Sequence, residues 1–150
     1  MKKTLLLVLF LSFQTTLCDA QVNRPGRFGL GLIFGLPTGI SAKYWLDNTH
    51  AFDAALGFGD ISVHADYLWH IWDLFPQPQQ GRLGAYWGLV AKVGDQWHNT
   101  KFGIRALGGI AYYFPRHPVE VFFEVVPVLD LSPGSRLRTY AGAGARYYFR

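Results

Sequence analysis

The sequence predicts an all-β chain: an eight-stranded antiparallel up-and-down transmembrane β-barrel, preceded by a cleaved signal peptide. Three observations lead there. Aromatic residues make up 17% of the 150 residues and there are 17 glycines, while charged residues reach only 16%. That balance excludes a disordered chain, which needs few aromatics and much charge. Second, eight segments alternate in polarity with a period of two, so each presents two unlike faces. Third, the closing segment Leu137–Phe149 is apolar along one whole face. Its odd positions (Leu137, Thr139, Ala141, Ala143, Ala145, Tyr147, Phe149) carry no charge, whereas its even positions mix Arg138 and Arg146 with Tyr140, Gly142, Gly144 and Tyr148. A strand between hydrocarbon and a narrow polar lumen has that requirement.

Residues 1–20 carry the three regions of a secretory signal. Lys2 and Lys3 lead, an apolar run from Leu5 to Phe13 follows, and Cys18-Asp19-Ala20 forms the cleavage region. Cleavage after Ala20 leaves 21–150 as the barrel domain. The apolar run is shorter than the roughly 20 residues of a comfortable helical span. The mature part has no cysteine, which removes disulfide and thiol chemistry. Without Lys2, Lys3 and Asp19 the formal charge falls from +4 to +3, with no Lys/Arg run. Nucleic acid is therefore not an expected partner.

The strands follow in order. Gly26–Leu36 sets Phe28, Leu30, Leu32, Phe34 and Leu36 against Arg27, three glycines and Ile33, and Pro37-Thr38-Gly39 turns the chain. Ile40–Leu46 points Ser41, Lys43 and Trp45 inward, and Ala51–Phe58 points Asp53 inward. Gly59-Asp60 is a two-residue hairpin candidate. Ile61–Trp69 opposes Ile61, Val63, Ala65, Tyr67 and Trp69 to Ser62, His64, Asp66 and Leu68. The connection His70–Arg82, with two prolines, has room for a short helical turn. Leu83–Val93 and Lys101–Phe114 flank a polar loop, Gly94–Thr100. In Val119–Asp130 the acids Glu120, Glu124 and Asp130 face inward, and Pro127 argues for a bulge or an early end. With the N-terminus on the periplasmic side, the extracellular connections are all short, the reverse of the usual barrel.

Several strings carry a family likeness: GLGLIFGLPTGISAKYWL, HADYLWH, DLFP with GRLGAYWG, and EVVPVLDL before GARYYF. They resemble a family of small bacterial outer-membrane β-barrel proteins of unassigned function, broadly like barrels of the OmpX and OmpA transmembrane type. The resemblance spans nearly all of 21–150 and implies fold and location, with outer-membrane lipids and the outer-membrane assembly machinery as partners. It implies no catalytic residue. In this sequence Arg150 follows the aromatic Phe149 on which such barrels tend to finish.

The inward polar set is Lys43, Asp53, His64, Asp66, Lys92, Arg105, Glu120, Glu124, Asp130, Arg138 and Arg146. Charges in so narrow a lumen must pair or stay wet. Hairpin register places Asp53 beside Asp66 with Lys43 close by, and Asp130 facing Arg138 with Arg105 one strand away. Glu124, expected opposite Gly109 and Gly144, is the expected centre of the network, reached by Arg105 and Arg146. A structural plug is the simplest reading, with an ion path or a ligand site as alternatives.

Ser62, His64 and Asp66 have the residue types of a hydrolytic triad, but residues two apart on a strand stand ~7 Å apart. His50, His64, His70, His98 and His117 have no metal-ligand spacing and read as surface or interface histidines, so neither a metal nor a cofactor is expected. Gly29-Leu-Gly31 and Gly142-Ala-Gly144 precede no helix and are not nucleotide loops. Glycine there makes room for lumen side chains. The residues Trp45, Tyr67, Trp69, Trp72, Trp87, Tyr112, Tyr113, Tyr147 and Tyr148 suit an interfacial girdle. The expected function is a non-enzymatic outer-membrane barrel with a charge-filled, plugged lumen, serving envelope structure or surface interaction. The rivals are a soluble lipocalin-like barrel holding an apolar ligand, and a lipid-modifying barrel enzyme.

Overall fold

A computed structural model of the chain describes residues 26–35, 38–58, 62–96, 99–131 and 134–149, with side chains at all of these except 62, 90–96 and 99–103. The signal segment 1–20 and the Gly59-Asp60 hairpin candidate lie outside the described residues. Eight strands close into a barrel in chain order: β1 Phe28–Gly35, β2 Gly39–Trp45, β3 His50–Gly57, β4 Ser62–Ile71, β5 Arg82–Gln96, β6 Asn99–Tyr113, β7 Val119–Asp130 and β8 Arg136–Phe149. Every neighbouring pair is antiparallel, and β1 closes on β8 from Phe28–Phe149 to Gly35–Gly142. Among the described residues there is no helix, including in the 72–81 connection.

The stagger of the barrel follows from these registers. Stepping across the strands from Phe28 passes Tyr44, Phe52, Tyr67, Leu89, Ala106, Pro127 and Thr139, and returns to β1 at position 38, ten residues on. With ordinary strand rise and spacing, a stagger of ten over eight strands gives a tilt of about 40° and a wall radius of about 8 Å. Each residue then rises about 2.5 Å along the axis. The strands differ in length, from 7 residues in β2 to 15 in β5 and β6. The two ends therefore differ. The end holding residues 26 and 149 is nearly level, and the opposite rim stands about 10 Å higher over β5–β8 than over β1–β4.

Three details depart from expectation. The stretch Gly94–Thr100 is mostly strand, because β5 runs to Gln96 and β6 begins at Asn99, paired through Gln96–Asn99. Pro127 neither ends β7 nor inserts a bulge. Arg105 faces Val128 and Gly108 faces Val125, three residues apart on both strands, and β8 pairs straight through Pro127–Thr139. The register of the last hairpin pairs Glu124 with Gly142 rather than Gly144, and Asp130 with Arg136 rather than Arg138.

The two faces have opposite polarity. Outward positions bear exposed large apolar side chains such as Leu32, Phe34, Leu56, Trp87, Leu89, Phe123 and Phe149. Inward positions hold a core of Ile33, Leu68, Leu107, Phe122 and Val126 together with buried Ser41, Lys43, Asp53, Asp66, Arg105, Glu120, Glu124 and Arg146. Glycine lets this filling fit. A Cβ on Gly109 would stand 2.5 Å from the Tyr86 ring, and one on Gly29 would stand 2.8 Å from the Tyr148 ring.

Candidate functional site

The lumen is built in layers from the level end upward. The first is aromatic. Trp45 packs on His70 at 4.3 Å and on Trp72 at 6.0 Å, and Trp72 lies 5.5 Å from Tyr113. Trp72 belongs to the long β4–β5 connection and is folded back into the barrel end. Its Nε1 donates to the Asn48 carbonyl at 2.8 Å, and the Arg82 guanidinium stacks on its ring at 3.7 Å. Gln77 braces that connection by donating to the carbonyls of Trp72 and Leu83 while accepting from the Leu83 amide. Trp45, Trp72, Tyr113 and Tyr148 are thus lumen residues rather than girdle residues, and His70 is 4% exposed rather than superficial. The outward aromatics are Tyr67, Trp69, Trp87, Tyr112 and Tyr147, with Trp69 and Trp87 stacked at 4.6 Å.

Above the aromatic floor lies an ion network. Arg146 donates from Nη1 to Glu120 Oε1 at 3.2 Å, from Nη2 to Asp53 Oδ1 at 2.7 Å, and from both Nε and Nη2 to Ser41 Oγ. Lys43 donates to the same Glu120 oxygen and to the Tyr113 hydroxyl, each at 3.0 Å. Tyr148 donates to the other Glu120 oxygen and accepts from Trp45 Nε1 at 3.2 Å. The Phe122 ring covers the Arg146 guanidinium at 3.8 Å. Two cations meet two carboxylates here, so the layer is neutral. It ties β2 and β3 across the lumen to β6, β7 and β8.

The upper layer is less complete. Asp66 lies beside Asp53 in register, as expected, but its cation is Arg105, whose Nη2 stands 3.3 Å from Oδ2. His64 Nε2 lies 3.6 Å from the same oxygen. Glu124 accepts from the Tyr86 hydroxyl at 3.3 Å and is not the centre expected of it. Arg146 turns to Glu120 and Asp53, and Arg105 to Asp66. At the high rim Arg138 Nε approaches Asp130 Oδ2 at 3.8 Å across half-exposed surface, so this pair stands apart from the lumen network. Lys92 is on β5, with its side chain outside the described set.

Of the eleven expected lumen charges, seven join the two inner layers with His64 beside them. Sequence reasoning missed the neutral partners Ser41, Tyr86, Tyr113 and Tyr148. Their signal was available, since each sits on an inward position beside a charged residue one or two strands away. Ser62 is described by its backbone alone, so the Ser62, His64 and Asp66 set lies partly outside the described side chains. His50 is taken by the β2–β3 turn, where Nδ1 meets Asp47 Oδ2 at 2.7 Å. His117 is exposed in the β6–β7 connection, and His98 is outside the described residues. Among the described residues no three His, Asp or Glu side chains gather as a metal cage.

Asp47 anchors that turn. Burial works to raise its pKa, but hydrogen bonds from the Thr49 and His50 amides and from both side chains prevail and hold it down to about 2. A comparison with family models, curated proteins and solved structures finds none that matches the chain.

Proposed function

We propose that the protein is a small integral outer-membrane β-barrel with a plugged lumen, exported by its signal segment, and that it serves envelope structure or surface interaction without catalysing a reaction. What supports the reading is the inversion of polarity across the wall. The outward residues of β7 are apolar from Val119 to Leu129, ten residues or about 25 Å along the axis, which is the height of a bacterial barrel's apolar band. In water the same surface would be one continuous apolar patch far larger than soluble monomers carry. A lipocalin-like function would need its ligand space where Arg146, Glu120, Lys43 and Asp53 now lie.

The family likeness carried by the GLGLIFGLPTGISAKYWL and GARYYF strings points the same way, and the partners it implies are outer-membrane lipids and the assembly machinery. The test is envelope fractionation on a sucrose gradient, with gels of boiled and unboiled samples. The proposal predicts recovery with outer membrane and faster or slower migration of the unboiled band. A soluble periplasmic species with no heat-dependent shift would overturn it.

A further inference from the structure

The upper lumen holds a carboxylate that its own protein leaves unsatisfied. Asp66 is 1% exposed, yet neither Oδ1 nor Oδ2 accepts a hydrogen bond. Its contacts with Arg105 and His64, at 3.3 and 3.6 Å, are electrostatic. Arg105 Nε is likewise buried without an acceptor. Buried polar groups are nearly always hydrogen-bonded, so each exception calls for a reason. The ion pairing is uneven as well. Below, Lys43 and Arg146 pair with Asp53 and Glu120, whereas above, among the described side chains, Arg105 is the one cation in ion-pair contact with Asp66 and none is in such contact with Glu124.

The wall changes at the same level. β4 pairs with β3 from Gly57–Ser62 to His50–Trp69, which includes its upper half. With β5 it pairs, among the described residues, only between Tyr67–Leu89 and Ile71–Ala85. β4 nevertheless continues to Ser62 and β5 to Gln96. Asp66 is the first inward residue above the last paired position, at the foot of this parted seam.

We infer that Asp66, with Glu124 facing it from β7 across the lumen, binds a primary ammonium group that enters past the β4–β5 seam. An ammonium carries three donors and no acceptor, which suits the two unmet Asp66 oxygens and leaves one for Glu124. It also brings positive charge to a buried carboxylate. A phosphate or carboxylate would meet like charge at Asp66, and a quaternary ammonium has no N–H to donate. The inference rests on the membrane-barrel reading for its route. In a bilayer the seam, on the low side of the rim, opens toward one leaflet, so the amine belongs either to an aminophospholipid or to a solute arriving from above.

The test is the urea midpoint of unfolding, followed by heat-dependent gel mobility, for the full barrel in phosphatidylcholine vesicles at pH 8, where an ordinary histidine is neutral. A ligand that binds only the native state raises that midpoint by mass action. Ethanolamine should raise it saturably and choline should not. Asp66→Asn should weaken the ethanolamine response at least tenfold. Should Asp66→Asn fail to refold, Glu124→Gln is read instead and should also weaken it. Replacing part of the phosphatidylcholine by phosphatidylethanolamine separates the sources. A raised midpoint that blocks any further ethanolamine effect marks a lipid headgroup, and an unaltered ethanolamine response marks a solute. An equal response to choline, or a full response in the readable variant, overturns the site. A wild type that shows no heat-dependent shift overturns the membrane reading beneath it, and an inserted wild type with no saturable response overturns the site alone.

Discussion

Arg146 and Glu120 face each other directly across β7 and β8, and their side chains meet at 3.2 Å with each at most 1% exposed. Around this pair the neutral layer of the lumen is assembled, since Lys43, Tyr148 and Asp53 all bond to one of the two. Removing one partner of a buried ion pair strands the other and typically costs ~3–5 kcal/mol. Glu120→Gln should therefore lower stability by about that amount. Glu124→Gln should cost ~1 kcal/mol or less, because the bond Glu124 accepts from the neutral Tyr86 hydroxyl can still be accepted by the glutamine oxygen and no cation is stranded. Urea midpoints of the two refolded variants give the ranking, and the reverse order would move the centre of the network back to Glu124.

Glycine at the lumen wall offers a second comparison. A Cβ on Gly109 meets the Tyr86 ring and the Phe123 carbonyl at 2.5 and 2.7 Å, whereas one on Gly108, its outward neighbour, meets nothing within 4 Å. Gly109→Ala should destabilise by ~1–3 kcal/mol through overpacking, and Gly108→Ala should leave the midpoint within ~0.5 kcal/mol. Equal effects would mean that the faces of β6 are reversed.

Depth on the outer face is a third variable. Leu89 is halfway up the apolar band, and Leu137 is at its upper edge and 70% exposed. Arginine on the lipid face of such barrels costs ~2–4 kcal/mol at the midplane and ~0–1 near the interface. Leu89→Arg should impair refolding into vesicles much more than Leu137→Arg. A depth-independent cost would argue for a water-facing surface. Gly88 is no neutral control here, because a Cβ there would stand 2.7 Å from both the Leu68 side chain and the Tyr67 carbonyl.

The β2–β3 turn gives a pH prediction. Asp47 is held down to about 2 in the folded turn, below its ordinary value of 3.8. A depressed carboxylate stabilises fully above its unfolded pKa, and the contribution disappears as pH falls through the folded one. The turn should hold at pH 4 and open as the pH approaches 2. Amide exchange at Thr49 and His50 reports this, and Asp47→Ala should show the open rate at neutral pH. Opening already complete at pH 4 would contradict the hydrogen-bond pattern.

Much of the fold was legible because a period of two fixes which face each residue serves. The strand count, the outward row of β8 and the inward row of β7 all follow from that alternation. Pro127 misled because a proline needs only one unshared N–H position, and an in-register strand can supply it without a bulge. The site was less legible. Alternation says that Glu120, Glu124, Arg105 and Arg146 point inward, but the stagger of ten residues decides which of them share a level. That stagger is a sum over eight registers, so a two-residue slip in the last hairpin was enough to move the predicted centre from Glu120 to Glu124. Trp72 was out of reach for another reason, since a residue in a connection has no alternation to orient it.

The central claim is that the outward face of the barrel meets hydrocarbon. The most direct test is a spin-label scan of β8 at Thr139, Ala141, Ala143, Ala145 and Tyr147 in phosphatidylcholine vesicles, comparing collisions with oxygen and with a water-soluble nickel chelate. The account predicts that oxygen dominates at Ala141, Ala143 and Ala145, with the nickel chelate gaining toward Thr139 and Tyr147 at the two edges of the band. Nickel access at all five positions would contradict it.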